Sequence, residues 1–398
     1  MRKIVRNLLA GSGVLALTLT LAGTASYAGG HKVDKPTLTG WASLAAGTFV
    51  PDSEPSGALV TGNLNGFTVP FADQPVQGFS GIVNNGDGTF DVLSDNGYGN
   101  QANSGDFLLR VQKLAPVFRT GKVDVLGGVN LTDPAGKVPW KLTRDDRVLT
   151  GADFDVESIQ QVADGSYWIG DEFGPYLLHF DRAGRLLDAP VALDGVIAPE
   201  TAARTGGTAT TRSSKGFEGL AQSPDGRYLS ALLEGSITGD PAGSLRLNEF
   251  DLRAGRYTGK HSSYQLDNPD FAIGDAIAID KDRFLVIERD NGQGTTAVTK
   301  KIYLADKRDR NHDGALDKKL VVDLMSIANP RKLGGFGPTF TFPFQTIEDV
   351  VILDDHTIAV LNDNNFPFST GRSAAADNNE WITITLPESL HPDKRLIK

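Results

Sequence analysis

The 398-residue chain contains no cysteine. That excludes a disulfide framework, a lipid-modified cysteine anchor and thiolate metal sites. Its six histidines show none of the paired spacing that zinc requires. There is no Gly-x-Ser-x-Gly elbow, no phosphate-cradling Gly-x4-Gly-Lys-Ser/Thr loop and no paired-histidine metalloprotease helix. Long apolar runs are scarce as well. The best one, Val14 to Leu21, is shorter than the roughly 20 residues a membrane-spanning helix needs. Positive charge is in deficit, with 39 Lys and Arg against 49 Asp and Glu and a net charge of −10. Nucleic acid is therefore not an expected partner. An anionic substrate would also be repelled unless bound cations reverse the local field.

The N-terminus has the order of an export signal: basic Arg2, Lys3 and Arg6, the apolar stretch, then a small-residue cleavage site at Ala25-Ser26-Tyr27-Ala28. Residues 1–28 are predicted to be removed, leaving a single domain over 29–398. The product is expected in the periplasm or the medium, without a membrane anchor and as a monomer. Removal of the three basic residues takes the net charge to about −13.

What the chain has in abundance is one repeated hairpin. An apolar strand opens on a polar residue, turns at Asp-Gly or a similar pair, and returns in a second strand that ends in acid. The copies begin at Phe79, at Asp155, at Phe217, at Gly274 and at Ile347. From opening to closing polar residue the intervals are 15 (Ser80 to Asp95), 14 (Glu157 to Asp171), 16 (Glu218 to Glu234), 13 (Asp275 to Glu288) and 15 (Glu348 to Asp363). Repeated sheets around an axis produce such a pattern, so the predicted fold is an all-β, single β-propeller. Six blades are favoured, with five or seven left open. The sixth would come from Lys32 to Phe71 with help from the C-terminal strand, or from Val117 to Leu131. The strand near Leu38 is a candidate to close the ring against the C-terminus. Tandem β-sandwiches are the rival fold, but they would not place an acid at both ends of each hairpin. Val196 to Ser214 and Arg331 to Phe344 read as long loops on one face of the ring.

If first strands line the channel, Glu157, Glu218, Asp275 and Glu348 stand at comparable heights around it, and Asp171, Glu172, Glu234, Glu288 and Asp363 gather at the same mouth. So many carboxylates raise one another's pKa by like-charge repulsion, which a hard divalent cation relieves. Ca2+, with about 6 to 8 oxygen ligands in loose geometry, fits best. The alternative for each acid is a structural one, capping backbone N–H groups of a neighbouring blade. A separate stretch, Asp309, Asn311, Asp313 and Asp317 with Gly314 at the sharp turn, matches a calcium loop in part, although Leu320 stands where a bidentate Glu belongs. Lys215 and Arg289 lie beside the channel acids and are candidates to hold an anionic group, or to form local salt bridges. His179 reads as a packed strand residue, and His31, His261 and His391 as solvated.

Phe217-Glu218-Gly219-Leu220-Ala221 and Trp168-Ile169-Gly170-Asp171-Glu172-Phe173-Gly174-Pro175-Tyr176 resemble the family described as "esterase-like activity of phytase", over a span from the first hairpin to Trp381. The resemblance implies an exported bacterial propeller with recurring acids that hydrolyses phosphoesters. The expected function is a calcium-dependent phosphoester hydrolase acting on a small-molecule ester. Asp171, Glu172 and Glu234 would hold metal and orient water, and Lys215 and Arg289 would steady the phosphate. A calcium-dependent lactonase or esterase, and a non-catalytic calcium-stabilised propeller that binds a ligand or partner protein, are the alternatives. Ser80 departs from the acidic pattern and would leave one side of the funnel open to substrate.

Overall fold

The repeat takes shape through its turns. In the second copy Gly165 adopts φ 86°, a conformation costly for any residue with a β-carbon, while the Asp164 carboxylate accepts from the Ser166 amide at 2.9 Å. This closes the turn and fixes the register of both strands. The computed structural model describes residues 33–398; the expected signal segment, 1–28, and His31 lie outside them.

Strand β1 (Thr37–Leu44) comes first in the chain. The first blade follows as β2 (Phe79–Asn84), β3 (Phe90–Ser94), β4 (Arg110–Val117) and β5 (Lys122–Asn130). The second is β6 (Val156–Gln161), β7 (Tyr167–Asp171), β8 (Tyr176–Phe180) and the short β9 (Val191–Ala192), after which helix α1 (Pro199–Thr205) sits in a long insertion. The third is β10 (Phe217–Gln222), β11 (Tyr228–Leu233), β12 (Ser244–Asp251) and β13 (Arg256–Gln265); the fourth is β14 (Ala272–Ala278), β15 (Arg283–Arg289), β16 (Lys300–Asp306) and β17 (Asp317–Asp323). Two-residue strands β18 (Ile327–Ala328) and β19 (Thr339–Phe340) pair within the next insertion. The last blade is β20 (Asp349–Asp354), β21 (Thr357–Leu361) and β22 (Asn379–Thr385), completed by β1, which runs antiparallel to β22 from Thr37 opposite Thr385 to Leu44 opposite Asn379.

The first four blades are antiparallel meanders in chain order, and the fifth is an antiparallel meander whose outermost strand is β1. The innermost strands touch in sequence, β2 to β6, β6 to β10, β10 to β14, β14 to β20, and β20 back to β2. The fold is a β-propeller, and its described residues make five blades where six were favoured. Both segments proposed for a sixth are used elsewhere. Residues 37–44 complete the fifth blade against the C-terminal strand, as the ring-closing expectation had it, and residues 117–131 supply the outer edge of the first.

The apolar core lies between the faces of adjacent blades. Trp168 and Leu177 of the second blade pack against Phe217, Leu229 and Ala231 of the third, and Phe79 and Val92 of the first against Ala359 and Trp381 of the fifth. Burying each such large side chain is worth roughly 1.5–3 kcal/mol, and this fixes the five inner strands rigidly around the axis. An aromatic group, including Phe49, Phe67, Phe71, Tyr98 and Phe366, packs the 45–78 segment onto the loops after β3 and β21.

Candidate metal centre

At the start of four of the five inner strands the pairing slips. The slip falls between Val156 and Ser158, between Phe217 and Gly219, between Ile273 and Asp275, and between Phe79 and Ile82. A bulge leaves its extra residue out of the ladder and re-aims the side chain. The residues so released are Glu157, Glu218, Gly274 and, in the first blade, Ser80 with Gly81. In the fifth blade Glu348 immediately precedes β20, and its amide donates to the Leu361 carbonyl at 3.3 Å. The residue just beyond the partner of each foot comes from the second strand: Asp95 after Ser94, Glu172 after Asp171, Glu234 after Leu233, and Arg289 after Glu288. Asp363 follows β21 in the fifth blade.

These side chains converge. Asp155, Glu157 and Glu172 each place a carboxylate oxygen within 4.8 Å of the others, and Glu172, Glu218 and Glu234 do the same. All five are buried. Asp155 accepts from the Asn96 side-chain amide at 2.7 Å and from the Ser214 hydroxyl at 2.9 Å. Glu348 accepts from Ser80 Oγ at 2.9 Å and from Arg289 Nη2 at 3.1 Å. Glu234 receives the Lys215 ammonium and faces Arg289 at 3.6 Å. One oxygen each of Glu172, Glu218 and Glu234 has no hydrogen-bond partner although fully buried.

Eight carboxylates thus meet at this mouth, counting Asp95, Glu348 and Asp363, and they outnumber Lys215, Arg289 and Lys300. Two unit charges 4.8 Å apart repel by about 3 kcal/mol at an effective dielectric constant near 20. Burial, then the charges of Asp155 and Glu218, push Glu157 well above the ordinary carboxylate range. Burial and Glu234 do the same to Glu172 and Glu218. Burial and Asp155 lift Asp95 to about 8. Burial works against the Lys215 ammonium, but Glu234 and Glu172 outweigh it and hold its pKa above the usual lysine value.

Three of the sequence-predicted ligands stand outside this convergence. Asp171 accepts from the amides of Asp155, at 2.9 Å, and Gly174, at 2.8 Å, bracing the turn that carries Glu172. Asp275 accepts from the amides of Ala276 at 2.7 Å and Val350 at 2.9 Å, tying the fourth blade to the fifth. Asp349 ties the fifth to the first in the same way through the Gly81 amide at 2.7 Å. Glu288 is taken up by Tyr264 Oη at 2.7 Å, the Asp267 amide at 2.7 Å and Lys318 Nζ at 2.6 Å. The bulge explains the displacement: in the fourth blade it releases Gly274, and Asp275 falls back into the ladder.

The stretch from Asp309 satisfies itself. Asp309 accepts from the amides of Asp313 and Gly314, Asn311 from Asp313, and Asp313 from Ala315, while Asp317 pairs with Arg310 at 3.3 Å. Ser80 is wholly buried and engaged with Glu348 rather than leaving an opening. His179 stacks on Trp168 at 4.4 Å and bonds Ser166 and Asp188, the packed position expected of it. Two members were not anticipated, Asp155 and Asp95. Asp95 was legible as the counterpart of Glu172, since both follow the last paired residue of a second strand. Asp155 opens the second copy two residues ahead of Glu157.

The model of the family described as "Phytase-like: Esterase-like activity of phytase" matches residues 74–366. The chain belongs to this family. The match begins before the first inner strand and ends just past Asp363, so every acid of this phytase-like mouth lies inside it. An "Uncharacterized secreted protein" of Arthroderma benhamiae is 30% identical over 22% of this chain and 20% of its own length; the phytase-like chain thus spans about a fifth of that relative. Among solved structures, the GH43 endo-arabinanase from Bacillus licheniformis has TM-score 0.41 at 12% identity, over 76% of this chain and 93% of that one. A luciferin-regenerating enzyme has TM-score 0.37 at 10% identity over 79% of each. Among the described residues no helix is long and apolar enough to cross a membrane.

Proposed function

We propose that this phytase-like protein is an exported, calcium-dependent hydrolase of phosphoesters. The observation that carries the reading is the pair of buried carboxylate triads joined at Glu172, with three oxygens that lack a hydrogen-bond partner. Every donor is a hard oxygen and no histidine takes part, which fits calcium and disfavours zinc. Asp155, Glu157, Glu172, Glu218 and Glu234 would hold the ion. When bound, it supplies positive charge that admits an anionic ester into an otherwise repelling mouth, polarises the P–O bond and acidifies water.

The chain's own groups do the rest. Arg289 is set by Glu348 and Asn291, and its Nε–H is buried without a partner, a free donor for a phosphate oxygen. Lys215, part-exposed at the mouth, gives a second cation for the same group. Glu172 and Glu234 would orient the attacking water and take its proton. Water's oxygen bonds to phosphorus, the P–O bond to the alcohol breaks, and the proton taken by the carboxylate passes to the departing alkoxide, which leaves as the alcohol. Export is supported by the signal-like N-terminus and by the name of the fungal relative.

The test strips the purified protein with a chelator, restores calcium, and assays phosphomonoesters, phosphodiesters, phytate and lactones. Calcium-restored phosphoester turnover is expected. Turnover of lactones alone moves the reading to carbonyl esters. Calcium stabilisation without turnover of any substrate overturns the hydrolase and leaves a binding propeller.

A further inference from the structure

The two triads are treated differently by their surroundings. The one formed by Asp155, Glu157 and Glu172 meets neutral donors, Asn96 and Ser214 on Asp155. The one formed by Glu172, Glu218 and Glu234 already holds a cation, the Lys215 ammonium on Glu234, whose field also reaches Glu172 and Glu218. Even so, Oε1 of each of these three glutamates remains buried without a hydrogen bond, that of Glu234 having only Arg289 at 3.6 Å. The lysine therefore only part-fills a place with room for more ligation.

We propose that Lys215 is a built-in counter-ion that occupies the place of a second calcium ion and is displaced when that ion binds. The inference rests on the metal reading of the same mouth. Its mechanics follow from how the lysine is held. Arg289 is clamped, its side chain 6% exposed, whereas that of Lys215 is 30% exposed and ends in a point charge on a flexible stem. The pivot beneath it is fixed. Gly216 lies so close that a β-carbon there would sit 2.5 Å from Glu172 Cα, and Ser214, bonded to Asp155, has φ 44°, a left-handed conformation that a non-glycine residue keeps only when its surroundings impose it. The backbone stays while the head swings out. A divalent ion and an ammonium cannot share Glu234 without strong repulsion, so each excludes the other. Binding at the second triad then turns Lys215 toward the mouth, where an anionic substrate enters. Calcium would both fill the site and release the cation that receives the phosphate.

The experiment is a calorimetric calcium titration of the stripped full chain, as wild type, Lys215→Met and Lys215→Arg. Wild type is expected to bind in two steps. In Lys215→Met the weaker step should tighten by at least about tenfold, the scale of one charge interaction at this range, with the tighter step unchanged; Lys215→Arg should keep the weaker step weak. A readout on the wild type alone accompanies it: acylation of Lys215 by an amine reagent, followed by mass spectrometry, should rise several-fold on calcium saturation, and it decides the matter if a variant fails to fold. Calcium binding with one step, or with a weaker step and labelling indifferent to Lys215, overturns the counter-ion and leaves the metal reading intact. Absence of calcium binding in every protein overturns the metal reading itself.

Discussion

Arg289 reaches Glu348 of the neighbouring blade, Nη2 to Oε1 at 3.1 Å, from a blade whose inner strand carries Gly274 in the acid's place. The mouth is lopsided as a result. The guanidinium meets Glu348 between the fourth and fifth blades, while the two carboxylate triads are drawn from the second and third. On the proposed reading, that asymmetry would separate a place for metal from a place for an anion.

Glu172 belongs to both triads, so its loss should disable both. Glu172→Gln is expected to abolish calcium-induced stabilisation and to lower phosphoester turnover by about a hundredfold or more, of the order seen when a group central to transition-state stabilisation is removed. Melting curves with and without calcium, alongside steady-state assays, check this. A variant that keeps the full calcium shift would refute the shared-ligand role.

Gly274 has no room for a side chain, since a β-carbon there would meet the Ile347 carbonyl oxygen at 1.9 Å. Gly274→Ala should destabilise the fold by about 1–3 kcal/mol through overpacking between the fourth and fifth blades. Denaturant unfolding measures it. An unchanged midpoint would mean that the two strands separate freely.

Asp275 acts on backbone amides rather than on metal. Asp275→Ala orphans the Ala276 and Val350 N–H groups and should cost about 1–3 kcal/mol for each, while calcium stoichiometry in a titration stays that of the wild type. Loss of one equivalent of calcium would return Asp275 to the ligand set.

In the absence of calcium the protein should be more stable in mild acid than in base. Burial lifts Asp275 to about 7, and Asp95 and Asp171 to about 8, from an ordinary value of about 4. Such groups hold their protons more tightly folded than unfolded. The stability they contribute is therefore full below about pH 4 and is lost as pH rises through about 7 to 8. Melting temperatures in chelator are expected to fall from pH 5 to pH 8.5, and saturating calcium should flatten the decline, because the ion favours the ionised carboxylates. A melting temperature that climbs with pH in chelator would contradict this.

The propeller was legible because each hairpin states its turn and its strand alternation locally, as Asp164-Gly165 does between Gln161 and Tyr167. Glu157, Glu218 and Glu348 were legible for the same reason, being the polar residue at the foot of an apolar strand. Asp275 misled because a bulge has no residue signature: Gly274-Asp275 reads like Glu218-Gly219 shifted by one, and only the pairing shows which residue leaves the ladder. Arg289 was picked out beside Glu288, yet its equivalence to Glu172 and Glu234 depends on that same register. Six blades were favoured over five because the segment around Leu38, matched to the C-terminus, was also counted toward a blade of its own.

The clasp between β1 and β22 has a consequence in time. One strand is made near the start of the chain and its partner near the end, so during synthesis the ring stays unsealed until the last hairpin has emerged. The acids of the last blade, Glu348 and Asp363, cannot be locked against those of the earlier blades before that moment.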